Sequence, residues 1–290
     1  MAKIKVMNSA ESELKLFLKF LHHDFHKQQR NIILSSFPEL QSKITNNPDL
    51  SEESVVGDFI NDFYQSNSEK IKLIITKDEQ LLDARGDDVL SALRTLMDAD
   101  WPQDKVFYAV PTILPFSPFE NDTFFYSILG EIKTGRSSKN ILFFAAHEIS
   151  HFVFYDALKK MTDIQNTLSK ESEHYLKEAL AVAILNENPL KEILKIENYS
   201  GNPELNGLNL SIDGKVIGFT SFISDYYHEH KIANKEKFGD VLFSLINILS
   251  AADKDLILKK DIWNKYGLKL NQNPSAISEY FEPMKIKGHL

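Results

Sequence analysis

Cysteine is absent from the 290 residues, which excludes a disulfide framework and every zinc site built on thiolates. No uninterrupted apolar run approaches the roughly 20 residues that cross a bilayer, so no membrane partner is expected. Excess positive charge is missing as well. Lys and Arg number 33 against 41 Asp and Glu, a net charge of −8, which argues against a nucleic-acid backbone as partner. The opening Met-Ala-Lys-Ile-Lys-Val-Met-Asn lacks the apolar stretch and small-residue end of a secretory leader, so a cytoplasmic location is the simplest expectation. The acceptor patterns at Asn121, Asn198 and Asn209 are then read as accidents. There is no repeat, low-complexity tract or obvious linker. With 43% hydrophobic and 26% charged residues, the chain reads as an ordinary globular protein able to bury a substantial core.

Against that background, His147-Glu148-Ile149-Ser150-His151 stands out. Ile141-Leu142-Phe143-Phe144-Ala145-Ala146 precedes it and Phe152-Val153-Phe154 follows, so the segment is apolar almost all round and is expected to be a buried helix. Ser137, Ser138 or Asn140 caps its start, no Gly or Pro interrupts Ile141 to Gln165, and Lys159-Lys160 stand near its end. Residues four apart on a helix differ by about 40° around the axis and ~6 Å along it, so both imidazoles project together and can share one ion. Glu148 points about 100° away from His147, beside the ion rather than on it, where a general base belongs. The plain alternative is a core helix whose histidines bond to backbone or water, a costly way to fill a core.

Catalytic zinc takes three protein ligands and keeps one position for water. A further turn of the motif would place Gly three residues after the second His and another His three residues later. Phe154 and Ala157 stand there, which excludes that arrangement. The remaining common choice is a glutamate from a following helix. Leu176, Ala179, Leu180, Ala183 and Ile184 repeat at helical spacing around Glu178, and a carboxylate among apolar residues calls for a cation. Glu171 is the second choice; it shares with Glu173 a polar stretch that suits a solvated first turn.

The pattern His147-Glu-x-x-His151 followed by Glu178-Ala-Leu-Ala resembles the gluzincin group of zinc metallopeptidases, over about forty residues. His151 to Glu178 is a longer interval than in the thermolysin-like and aminopeptidase branches, and Val182 stands where the former often carry Asp. The resemblance implies a two-helix zinc site beneath a small sheet whose edge strand holds an extended peptide, with His147, His151 and Glu178 as ligands of Zn2+ and Glu148 as base. It also implies an oxyanion donor approaching from the far side of the metal. The expected source is Asp225-Tyr226-Tyr227-His228-Glu229-His230, with Tyr227 and His228 named as donors; the competing reading of that stretch is a surface helical turn with its aromatic residues on the core side. Zinc-bound histidines usually donate their second N–H to a carboxylate or carbonyl, and no such partner is marked by the sequence.

The expected fold class is α+β: a helix-rich, zincin-like catalytic domain with a small mixed sheet over 101–290, and a mostly helical part over 1–100. Asn8 with Glu11 starts a helix carrying Leu14, Phe17, Leu18, Leu21 and Phe25. His22 and His26 on it read as an exposed polar face. Ser51 opens a helix that buries Val55, Val56, Phe59, Ile60 and Phe63. Lys70 to Thr76 reads as a strand and Asp87 to Met97 as a short helix. Val106 to Val110, ended by Pro111, and Thr123 to Ile128 are strands, one of them the edge for substrate. Leu208 to Ile212 and Lys215 to Phe219 form a hairpin around Asp213-Gly214, followed by helices over Phe238 to Ile248 and Leu256 to Trp263. The functional expectation is a zinc metallopeptidase acting on a peptide or protein. A narrow regulatory protease with one protein partner and a binding module with structural zinc remain as alternatives.

Overall fold

The structure, a computed structural model, describes residues 2–7, 10–22, 27–47, 49–136, 139–161, 167–201, 203–212, 215–252 and 256–258. Strand β1 (Lys3–Val6) leads into helices α1 (Ala10–His22), α2 (Lys27–Ser36), α3 (Pro38–Asn46), α4 (Glu52–Ser66) and α5 (Ser68–Met97). Strands β2 (Val106–Thr112), β3 (Phe119–Glu120) and β4 (Thr123–Ser127) follow, then helices α6 (Leu129–Thr134), α7 (Ile141–Lys160), α8 (Lys170–Leu185), α9 (Leu190–Leu194) and α10 (Pro203–Gly207). The hairpin β5 (Leu208–Ile212) and β6 (Lys215–Gly218) precedes α11 (Phe219–Tyr227), a π-helical turn at His228–Ala233, α12 (Phe238–Ala252) and β7 (Leu256–Leu258). The fold is α+β and rich in helix.

Four strands in the order β1-β2-β4-β3 form one sheet, in which β1, β2 and β4 run parallel and β3 is antiparallel. Pro111 does not end β2; it pairs with Tyr126 of β4. Proline is tolerated because β1 pairs only as far as Ala109, so its missing N–H falls where that neighbour has stopped. Neither β2 nor β4 is the edge that sequence reasoning assigned to substrate. β2 lies between two strands, and the outer side of β4 is covered by Phe125 N bonding Pro118 O at 2.8 Å and Ser127 N bonding Ser117 Oγ at 3.2 Å. The edges of the sheet are β1 and the short β3 that carries Phe119.

The expected strand over Lys70 to Thr76 and the short helix over Asp87 to Met97 are both parts of the 30-residue α5. A run of β-branched side chains favours strand locally, but Ile71, Ile74, Asp78, Leu82 and Gly86 are buried at helical spacing while Leu73 is exposed. Burial along one helix face overrides the local preference. Leu256 to Leu258 pairs with β5 rather than starting a helix. The turn Asp213-Gly214, the cap residues Asn8, Ser137 and Ser138, and Phe25 and His26 lie outside the described residues. His22 sits 3.4 Å from Glu52 on the surface.

Buried apolar residues from Ala2 to Leu249 form a single cluster, and α5 packs along both α7 and β1. The end of α5 is fastened to the C-terminal helices. Asp98, in the left-handed region (φ 50°), accepts from Lys231 Nζ at 2.8 Å and from Phe238 N at 2.7 Å. Tyr227 donates to Leu96 O at 2.6 Å, filling one of the carbonyls a helix end leaves open.

Glu13 is buried at the end of β2, where Ile113 N (2.9 Å) and Thr112 Oγ1 (3.0 Å) donate to it. Burial pushes its carboxyl up to about 7, against the pull of the Ile113, Thr112 and Tyr64 hydrogen bonds. The folded chain keeps this proton up to about 7, whereas the unfolded chain loses it near the ordinary value of 4.5. Stability contributed by Glu13 is therefore full below pH 4.5, declines as pH rises to about 7, and is flat above. The loss is on the order of 3 kcal/mol. Glu13→Gln is expected to unfold at higher urea than the parent at pH 8 and at the same urea near pH 4.5. Equal midpoints at both pH values would show that the carboxyl does not ionise late.

Candidate metal centre

Helix α7 starts where Asn140 Oδ1 accepts from Phe143 N at 3.1 Å, and α8 where Ser169 Oγ accepts from Ser172 N at 3.1 Å. Capping satisfies donors that a helix start would otherwise bury unpaired. By length and composition α7 passes for a membrane span, yet 67% of its apolar window is buried within the fold. Ile141, Leu142, Phe143, Ile149, Phe152, Val153 and Phe154 are buried along it, and so are Glu148 and His151. Each apolar side chain of that kind stabilises by about 1.5–3 kcal/mol, whereas a buried polar group without a partner costs a comparable amount. The polar groups therefore need an account.

His147 Nε2 and His151 Nε2 lie 3.1 Å apart. Across the interface with α8, Glu178 Oε1 is 3.3 Å from His151 Nε2 and Glu178 Oε2 is 3.6 Å from His147 Nε2. A tetrahedral zinc with bonds of 2.0–2.1 Å separates its donors by about 3.4 Å. The contacts to Glu178 are made by its two different oxygens, and one ligand atom from each of the three residues lies within 4.8 Å of the others, a grouping compatible with a shared metal ion. Glu171, the second choice for third ligand, accepts from the Tyr175 hydroxyl at 3.2 Å on its own helix and is not in the group.

The shifts at His151 and Glu178 run in the directions that suit ligands, toward neutral imidazole and ionised carboxylate. Burial pushes His151 down to about 3, the attraction of Glu178 offsetting this only in part. Burial works against ionisation of Glu178 too, but His151, the hydrogen bonds of both imidazoles and Lys177 outweigh it and hold the carboxyl well below the usual range. Glu148 is 5% exposed; burial pushes it up to about 7, with His147, Lys177 and Lys139 pulling down and Glu178 pushing up. Both Nε2 atoms face Glu178, while Nδ1 of His147 and of His151 are buried and have no hydrogen-bond partner among the described residues. The carboxylate or carbonyl that usually orients a metal-bound imidazole is replaced by packing. Phe143 stacks on the His147 ring at 6.1 Å and Phe119 tilts over the His151 ring at 5.8 Å.

Two lysines and a tyrosine that sequence reasoning missed complete the surroundings. Lys177 is buried, 2.9 Å from Glu178 Oε1, under the rings of Phe119 (4.9 Å) and Tyr155 (6.0 Å). Its signal was present: Leu180, Ala181 and Ile184 follow it at i+3, i+4 and i+7, so it shares the apolar face of α8. Half-buried Lys139, just before α7, lies 4.5 Å from the Phe143 ring and 5.4 Å from the Tyr199 ring. Burial pushes its ammonium down to about 8, and Glu148 and Glu178 counter that shift.

Tyr199 is buried with its ring 6.1 Å from that of His147. Its backbone is clamped by Asn186, which accepts from Tyr199 N at 2.8 Å and donates to Tyr199 O at 2.7 Å. Gly201, at φ +75°, lets the chain pass Val182 where a Cβ would come within 2.7 Å of Cγ2. Burial pushes the Tyr199 hydroxyl up, and Glu178 and Glu148 add to the shift, so it remains a donor.

Tyr227 and His228, the donors expected from sequence, are not brought to the metal group. The Tyr227 hydroxyl is spent on Leu96 O, and exposed His228 pairs through Nδ1 with Glu187 Oε1 at 2.7 Å. His230 likewise bonds Glu236 and stacks on Tyr226, so the cluster follows the competing reading, a helix end with aromatic groups turned inward. Comparison of the chain with protein-family models, curated proteins and solved structures returned no match.

Proposed function

We propose that the chain is a zinc-dependent metallopeptidase, with His147, His151 and Glu178 as the ligands and Glu148 as the general base. The observation that carries this is the convergence of two imidazole nitrogens and one carboxylate from adjacent helices within 4.8 Å of one another, flanked by a buried glutamate that is not part of the group. Among the described residues the group has three protein donors rather than four, the mark of a site that keeps a position for water. A zinc ion held there supplies a water of lowered pKa and polarises the scissile carbonyl.

The chain's own residues do the rest. Glu148 takes the proton released as the water oxygen bonds to the carbonyl carbon, and returns it to the amine as the C–N bond breaks. Its apolar surroundings hold that carboxyl near neutrality, where a group serves both as base and as acid. Tyr199, kept protonated beside His147, donates to the oxygen on which charge develops. Lys177 keeps Glu178 in place and ionised.

Metal analysis of the purified protein, followed by incubation with a mixed peptide library with and without chelator, tests the reading. New termini that appear only without chelator support it; an intact library at full zinc occupancy contradicts it. Tyr199→Phe is expected to lower kcat about 10²- to 10³-fold with KM nearly unchanged and zinc content retained. An unaltered kcat in that variant removes Tyr199 from the chemistry.

A further inference from the structure

A carboxylate binds a metal through one oxygen or through both. If Glu178 gave both, the three residues would supply four donor atoms, the number of a closed structural site. If it gives one, a position is left for water. What else holds the carboxylate decides between the two.

The two oxygens are not equivalent. Glu178 Oε2 faces His147 Nε2 at 3.6 Å. Glu178 Oε1 lies 3.3 Å from His151 Nε2, but its shorter contact is with Lys177 Nζ at 2.9 Å. His174 Nδ1 stands 4.0 Å from the same oxygen. Neighbouring residues on a helix point about 100° apart, so the pairing of Lys177 with Glu178 is not a product of α8 alone. It depends on what packs against α8. The rings of Phe119 on β3 and Tyr155 on α7 lie 4.9 Å and 6.0 Å from the ammonium and hold it in place through cation–π contact. Lys177 is buried, and an ammonium stripped of its partner in such a place is costly. Oε1 is therefore the oxygen that a metal ion would have to take from another cation.

We propose that Lys177 is a positioning residue that keeps Glu178 Oε1 for itself, so that the carboxylate gives a metal ion Oε2 alone and one position of that ion remains for water. The proposal rests on the metallopeptidase reading for the identity of the ligands, but it is tested on coordination rather than on cleavage.

The experiment is infrared difference spectroscopy of zinc binding to the full chain carrying Glu148→Gln, with isotope-labelled glutamate, so that Glu178 is the glutamate of the group that responds. The two C–O stretches of a carboxylate stand far apart when one oxygen binds a metal and close together when both do. With Lys177 present the wide pair is expected. Lys177→Met on the same background should give the narrow pair, and Lys177→Arg should restore the wide one. Zinc affinity is a second readout. Removing a residue that merely supported a ligand would cost about 10- to 100-fold in affinity, whereas removing a competitor for Oε1 should leave the zinc Kd no higher than before. A narrow pair with Lys177 present overturns the proposal, as does a wide pair in Lys177→Met or a Kd raised there by about tenfold or more. If Lys177→Met fails to fold, magnetic resonance of nitrogen-labelled lysine in the native chain decides the matter. The Lys177 ammonium should stay shielded from water exchange when zinc is added, and its release overturns the proposal. The two readings fail separately. Zinc held by both oxygens in a chain that cuts peptides sinks the role of Lys177 alone, whereas zinc held by one oxygen in a chain that cuts none sinks the peptidase alone.

Discussion

Glu148→Gln is expected to lower kcat by about 10²- to 10⁴-fold while zinc remains bound at one ion per chain. The prediction separates proton transfer from metal binding because Glu148 lies outside the donor triangle. Gln has the same shape and remains a hydrogen-bond acceptor, so the helix and its packing are left intact. Only the capacity to take and return a proton is lost. The variant should also be no less stable than the parent, since it removes a carboxyl that burial holds up at about 7. If instead turnover survives, the base lies elsewhere; if zinc is lost with the carboxyl, Glu148 is a ligand and the geometry described here is wrong.

Glu178→Gln addresses the other half of the site. Two imidazoles without an anionic third donor form a poor chelate, and zinc affinity should fall at least ~100-fold, a loss as large as the upper end of what changes to groups behind the ligands produce. Gln is preferred to Ala because its amide oxygen can still accept from Lys177, which is buried against this carboxylate. A buried ammonium stripped of its partner costs about 3–5 kcal/mol, which would confuse lost metal with lost fold. For the parent, zinc at a thousand times its Kd stabilises by about 4 kcal/mol, a rise in Tm on the order of 10 °C for a chain of this size. Glu178→Gln should lose that rise, melting at the same temperature with zinc as with chelator. A variant that still gains 10 °C on adding zinc would mean that the ion is held by other residues.

The metal helices were the most legible part of the chain because two periodicities coincide there. Apolar residues fill α7 on all sides, so polar side chains within it stand out, and the i, i+4 spacing of His147 and His151 fixes their common direction regardless of tertiary context. Glu178 was visible for the same reason in α8, and the structure separates it from Glu171, which bonds Tyr175 on its own helix and is not brought to the imidazoles. Ser51 and Asn140 announced their helices through cap chemistry that is local. What could not be read depended on distant neighbours. Ile71, Ile74, Ile75 and Thr76 are β-branched, and nothing local says that one helical face of α5 will be buried there. Leu256 to Leu258 is apolar and short, and becomes a strand because β5 offers a free edge. Tyr199 lies in a loop with no periodicity; it reaches His147 only because Asn186 grips its backbone and Gly201 turns the chain, a placement made by hydrogen bonds thirteen residues away. Tyr227 drew attention as an aromatic residue beside histidines, yet its hydroxyl was needed at the end of α5.

X-ray absorption at the zinc edge of the metal-loaded protein tests the arrangement most directly. The account predicts four light scatterers at about 2.0–2.1 Å, with the outer-shell pattern of two imidazoles, and loss of one imidazole in His151→Ala. A spectrum without imidazole scattering, or one left unchanged by that substitution, contradicts it.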